Sequence, residues 1–251
     1  MSLMLLLSAV IIGLSLGLLG AGGSILTVPA LTLLLGMDEK TAVTSSLMIV
    51  GLIAVVGALK AYRRDQLNKR ILFSFGLVSL PFAAIGAQIG IWMPTGGQTL
   101  LLIVVMVIAA LNMLINKNQV SAATTEPNNI ALLTVASAVG LLTGIVGVGG
   151  GFLIVPALLI FAAVNMTTAV ANSLVLIMIN SISAFLAINL SNHAVTLNWV
   201  VILTMAVVGA CAVLAGQNLA ARLPQQLLKR GFALILIGLS IWLIIDQFIM
   251  R

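Results

Sequence analysis

One glycine-rich passage occurs twice in the chain. Gly17, Gly20, Gly22, Gly23, Val28, Pro29 and Leu31 recur, at a constant offset of 127, as Gly144, Gly147, Gly149, Gly150, Val155, Pro156 and Leu158. The register holds without a gap through Thr41, Ala42 and Val43 on Thr168, Ala169 and Val170, and through Ser46 and Leu47 on Ser173 and Leu174. Late in each half, Gly86 with Pro94 and Gly216 with Pro224 keep equal spacing. Such a chain folds as two related halves, and each half must tolerate a glycine-rich break inside an apolar stretch.

The surroundings of the breaks decide what solvent they meet. With 62% hydrophobic and 6% charged residues in a chain of 251, the polar side chains are too few to cover a water-soluble particle. Uncharged apolar runs recur along nearly the whole chain, each about long enough to cross a hydrocarbon core of roughly 30 Å as helix. The expected class is therefore all-α and polytopic, in a cell membrane. The net charge of +6 sits mostly in short loops, where it signals topology, so nucleic acid is not an expected partner. Cys211 has no second cysteine to pair with and reads as a small buried side chain. Met1 to Leu19 carries no charge and runs straight into the first glycine motif, so it reads as a retained segment rather than a signal peptide.

Helical segments are expected at Leu3–Leu19, Ser24–Leu35, Thr41–Leu59, Ile71–Trp92 and Gln98–Ile115, and again at Ile130–Gly147, Gly151–Val164, Thr167–Leu190, Leu197–Ala221 and Gln225–Phe248. This divides the chain into a first membrane repeat, 1–116, a cytoplasmic linker, 117–129, and a second repeat, 130–251. At about 1.5 Å per residue, Leu3 to Leu35 as one helix would measure roughly 50 Å, too long for one crossing. Split at its glycines, it becomes a hairpin of short or re-entrant helices. The expected total is eight to ten segments, about five per half.

Loop charges bear on orientation. The loop from Lys60 to Arg70 holds Lys60, Arg63, Arg64, Lys69 and Arg70 against one Asp65, which places it in the cytoplasm. Its counterpart between Asn189 and Asn198 carries only His193. The following loop shows the opposite bias: 93–98 is uncharged, whereas 222–230 contains Arg222, Lys229 and Arg230. The basic loop changes place between the halves, as two inverted repeats would require.

A break at membrane depth leaves backbone N–H and C=O groups that hydrocarbon penalises, so it must be buried in protein or line a wet cavity. The helices that start after the breaks would aim N-terminal amides at such a cavity, which suits an anion. The candidate site comprises Gly20, Gly22, Gly23 and Ser24 of the first break and Gly147, Gly149, Gly150 and Gly151 of the second. To these it adds polar residues early in the third segment of each half: Thr44, Ser45 and Ser46, then Asn172 and Ser173. Close helix packing is the competing reading for the glycines, including Gly13 and Gly17, and capping or interhelical bonding for the hydroxyls. Thr27 is placed to satisfy carbonyls that Pro29 frees. The acidic residues Asp38, Glu39, Asp65, Glu126 and Asp246 fall in loops or near segment ends, and no cluster suggests a metal, a cofactor or a catalytic residue.

The doubled Gly-x-Gly-Gly motif with its following Val-Pro, the Thr-Ala-Val-x-x-Ser-Leu stretches and the Gly86 and Gly216 segments resemble the TauE/SafE sulfite exporter family, also called the toluene sulfonate uptake permease family. The resemblance covers essentially the whole chain. It implies a membrane carrier, not an enzyme, for sulfite, sulfonates or related organosulfur anions, moved in either direction. The loop from Lys60 to Arg70 is shorter than the family's usual basic loop and lacks its frequent histidine. On this reading the two breaks converge near the midplane on one anion and access alternates around them; an anion channel of the same architecture is the alternative. The implied partners are a small anion and the lipid bilayer, with homo-oligomer formation left open.

Overall fold

A computed structural model describes residues 3–20, 22–94, 96–115, 129–147, 151–162, 164–190 and 196–249. Ten helices account for nearly all of them: α1 (Leu3–Leu19), α2 (Gly22–Leu35), α3 (Glu39–Arg63), α4 (Lys69–Trp92), α5 (Gly97–Ile115), α6 (Asn129–Val146), α7 (Gly151–Phe161), α8 (Met166–Leu190), α9 (Trp199–Ala220) and α10 (Gln225–Ile249). Five of these, α3, α4, α8, α9 and α10 from Gln226 to Ile245, are long and apolar enough to cross a membrane. The protein is a multi-pass membrane protein. Its outer surface is apolar, with Leu77 76% exposed on α4 and Val207 63% exposed on α9. Residues 117–128 of the expected linker lie outside the described residues.

Matching caps start the long helices in both halves. The Asp38 carboxylate accepts from Thr41 N (3.0 Å) at the start of α3, and the Asn165 amide oxygen accepts from Thr168 N (2.8 Å) at the start of α8. Asn68 and Asn198 do the same for α4 and α9, each at 3.3 Å. Each cap fills one of the donors that a helix start leaves open, at about 0.5–2 kcal/mol. Hydrogen bonding to Thr41 holds the Asp38 carboxyl below its ordinary pKa. Asn198 also explains why α9 begins at Trp199, two residues later than expected. α3 runs four residues past Leu59, because Lys60 and Arg63 suit the negative end of a helix.

Glycine determines which helices approach closely. Gly13 and Gly17 of α1 press on the Gly209 and Val213 carbonyls of α9, and any Cβ there would collide with them. The equivalent Gly140 and Gly144 of α6 press on the Ser79 and Ala83 carbonyls of α4. The first helix of each half thus packs on the fourth helix of the other. Between these pairs stand α3 and α8, of which α3 is the most enclosed of the candidate spans. They run antiparallel, with Gly51 facing Ser181 and Gly57 facing Leu174. α5 packs on α10.

Two side chains also differ from expectation. Cys211 is exposed, not buried, because it lies on the outer face of α9, where the neighbouring Ala212 and Val213 turn inward. The Thr27 hydroxyl donates to Gly23 O (2.9 Å), whereas the carbonyl that Pro29 leaves without its helical donor is that of Ile25, four residues back.

Candidate functional site

Each break is a glycine in the left-handed region. Gly20 has φ +67° and Gly147 φ +68°. Each closes the helix before it, with Gly20 N donating to Leu16 O (2.8 Å) and Gly147 N to Thr143 O (2.9 Å). This is the usual way a helix ends on glycine, which meets no Cβ penalty there. Space excludes other residues as well: a Cβ on Gly20 would lie 2.6 Å from Ser173 Oγ, and one on Gly147 would strike the Val43 side chain.

The carbonyls of these glycines, turned out of the helix, are met from the opposite half. The Ser173 hydroxyl, on α8, reaches Gly20 O at 2.9 Å; the Ser46 hydroxyl, on α3, donates to Gly147 O. The two serines are equivalent by the 127-residue offset, and so are the two glycines. Each half therefore secures the other's break.

These bonds also locate the breaks. Gly20 lies beside Val170 and Ser173, four to seven residues into α8, hence roughly 6–10 Å from that helix's start at about 1.5 Å per residue. Gly147 lies at the same level of α3. Leu47, next to Ser46, clusters with Ala184 and Ile188, which are eleven and fifteen residues beyond Ser173 on α8. The breaks are thus separated by roughly 17–22 Å along the central pair, by the same rise per residue. The structure does not bring the two breaks to one point. They sit at opposite ends, because each packs near the start of a long helix of the other half and those helices are antiparallel.

The expected site residues consequently form two groups. Gly20 and Ser173 meet at one end, with Asn172 beside them; Gly147, Ser46, Ser45 and Thr44 gather at the other. Gly22, Gly23 and Ser24 form the first turn of α2, where Gly23 packs on the Ile12 carbonyl, and Gly151 opens α7 and is buried. Gly149 and Gly150 lie outside the described residues. Most of the side-chain donors are engaged by protein: Thr44 donates to Lys40 O (2.9 Å), and Asn172 donates to Thr168 O (2.7 Å) while accepting from Asn68 N (3.1 Å). Ser45 Oγ is buried without a partner.

At the Gly20 end a cavity of about 160 Å³ opens beside the break. Gly17, Leu18, the first turns of α8, Ala220, Leu228, Gln217, Arg64 and Gln66 line it. Gln217 donates to Gly57 O (2.9 Å) and leaves its own oxygen buried and unpartnered. Both basic loops come to this end: Lys60 Nζ donates to Leu214 O (2.7 Å) and Asn218 Oδ1 (2.9 Å), and Arg64 to Asn218 Oδ1 (3.1 Å). A small oxyanion here would find the Arg64 guanidinium, the Gln66 amide and a helix start.

At the other end the corresponding side chains are tied to the backbone. Gln98, the counterpart of Leu228 four residues after the matched proline, is buried and donates to Gly90 O (3.1 Å) and Ile145 O (2.7 Å). Ile145 and Gly90 correspond to Leu18 and Ala220 of the cavity wall. Glu39, the counterpart of Met166, accepts from Gly96 N (2.7 Å), Thr99 N (3.1 Å) and the Thr99 hydroxyl (2.6 Å), which ties the start of α3 to the start of α5. Arg64, Gln66, Gln217, Gln98 and Glu39 were not among the residues expected in a site. The Gln98–Leu228 mismatch was available from aligning the halves on their prolines.

Residues 5–243 match the family described as sulfite exporter TauE/SafE. A probable membrane transporter protein of Xylella fastidiosa (strain Temecula1) is 32% identical over 243 residues, 93% of this chain and 91% of its own length. The probable membrane transporter protein YdhB of Bacillus subtilis is 27% identical over 186 residues, 70% of this chain and 74% of its own. No solved structure matches.

Proposed function

The chain belongs to the sulfite exporter TauE/SafE family of membrane transporters, and from that premise we propose that it is a secondary carrier of small organosulfur or sulfur oxyanions such as sulfite and sulfonates. The observation that carries this reading is the contrast between the two ends. A scaffold whose halves exchange equivalent contacts nonetheless has a cavity lined by Arg64 at one break and hydrogen-bonded glutamine and glutamate side chains at the other. Equivalent ends that differ in this way are what alternating access asks of a single state. The antiparallel packing of the corresponding helices α3 and α8 supports inverted repeats, with the cavity mouth on the cytoplasmic, basic-loop side.

The anion is taken up between Arg64, Gln66 and the first turns of α8 and passes along the central pair between the breaks. Gly20, Gly22, Gly23, Ser24 and Ser173 frame the path at one end, and Gly147, Gly151, Ser45 and Ser46 at the other. With a negative interior, carrying one negative charge outward gains about 2.3 kcal/mol per 100 mV, so export needs no second ion. Radiolabelled sulfite and aryl sulfonate flux into proteoliposomes tests the assignment, and a purified chain that moves neither is not such a carrier. Acceleration by unlabelled substrate on the far side is expected; unitary currents instead would make the protein an anion channel.

A further inference from the structure

Midway between the two breaks lies a polar cluster with donors to spare. Asn180 and Ser181 sit near the middle of α8, 0% and 1% exposed, and Ser79 near the middle of α4 is fully buried. Ser79 Oγ reaches Asn180 Oδ1 at 2.9 Å, which accounts for the amide oxygen and leaves Nδ2 unpartnered. Ser181 Oγ is unpartnered as well, and its Cβ lies against Gly51 of α3, where an added Cβ would come within 3.3 Å. An unpaired donor buried at this depth is costly, so a fold has reason to avoid it unless something else uses it.

The duplication supplies the control. The positions equivalent to Ser79 and Asn180 are Gly209 and Ile53, which also touch each other, and the position equivalent to Ser181 is Ala54. The same helix crossing is thus built once from glycine, isoleucine and alanine, so the architecture does not need the polar set. Its donors are neutral and lie where α8 meets α3 and α4, between the two ends.

We propose that Asn180 Nδ2 and Ser181 Oγ, with Ser79 orienting the amide, form a mid-depth station that holds the transported oxyanion when both ends are shut. This deepens the carrier reading and rests on it. Neutral donors suit a transit site, because they stabilise anionic oxygens without the deep trap that a buried guanidinium would make.

The test replaces the station by its own counterpart, Ser79→Gly with Asn180→Ile, and separately removes the unpartnered hydroxyl with Ser181→Ala. Sulfite counterflow in proteoliposomes is measured beside thermal unfolding in detergent. The paired variant is expected to raise the KM for sulfite or lower the rate at least tenfold, and Ser181→Ala several-fold, with unfolding midpoints equal to or above that of the parent. Flux and KM unchanged in either folded variant overturn the station alone. If the paired variant does not fold, Ser181→Ala decides by itself. A parent chain that moves no sulfite overturns the carrier reading and the station with it.

Discussion

The two ends of the central helix pair fill equivalent positions with different side chains. At Gly20 the wall of Leu18, Met166, Ala220 and Leu228 encloses a cavity; at Gly147 the same wall, written Ile145, Glu39, Gly90 and Gln98, is bridged by hydrogen bonds. The left-handed glycines and the serines that hold them do not differ between the ends. The backbone frame is therefore common to both halves, and a few rim side chains distinguish its ends.

The frame itself is the most sensitive place to test this. Gly20→Ala and Gly147→Ala each force a side chain into the left-handed region, at about 1–2 kcal/mol, and into a neighbour, at about 1–3 kcal/mol more. Both are expected to cut folded yield or flux more than tenfold and to about the same degree. Gly36→Ala is the control: its φ is +60° but nothing lies within 4 Å of an added Cβ, so it meets only the strain. Unequal losses at 20 and 147 would mean that the ends do not share one frame.

The rim comes next. Leu228→Gln should bring into the cavity a side chain like that of Gln98, which hydrogen-bonds across the other end, and reduce sulfite uptake roughly tenfold. Gln98→Leu removes its hydrogen bonds to Ile145 O and to Gly90 O, the latter keeping its bond from Met93 N (3.2 Å), at about 0.5–1.5 kcal/mol each, and should make a cysteine introduced beside Ile145 reactive to a membrane-impermeant thiol reagent. A site that stays unreactive would show that Gln98 does not shut that end.

The serine exchange predicts smaller, matched effects. Ser46→Ala and Ser173→Ala each delete one bond between halves, worth about 0.5–1.5 kcal/mol, and at their separation the two losses should add in thermal unfolding. Strong non-additivity would reveal that the ends are coupled through the central pair.

Smallest is the contrast of caps. Asp38→Ala and Asn165→Ala should each cost about 1 kcal/mol. Only the first should depend on pH. Because the folded pKa of Asp38 is depressed, its contribution is present above the ordinary value of 3.8 and fades as pH falls through the lower folded value. The group is exposed, so screening keeps the change small. A pH titration of unfolding that shifts the Asn165 variant as much as the parent supports this; equal pH sensitivity in the Asp38 variant contradicts it.

Much of the frame was legible because it is written in local signals. Glycine, proline and capping residues mark helix ends wherever the chain goes, and ten segments were delimited mostly to within a few residues, although the capped start of α9 and the basic end of α3 moved. The duplication and the loop charges were equally open to reading. The meeting of side chains over 101 and 153 residues was not. Ser46 and Ser173 look like anion ligands until their partners are known to be Gly147 and Gly20. The distance between the breaks was hidden for the same reason: a repeat discloses equivalence, and only packing discloses which equivalent parts touch.

The serine exchange also sets a timetable for biosynthesis. Ser46 waits for Gly147, and Gly20 waits longer, for Ser173. At about 5–20 residues per second the ribosome needs roughly 5–20 s to supply the first partner and about half as long again for the second. During that interval the amino-terminal half stands in the bilayer with an unsecured turn, exposed to quality-control proteases and dependent on whatever the insertion machinery can shield.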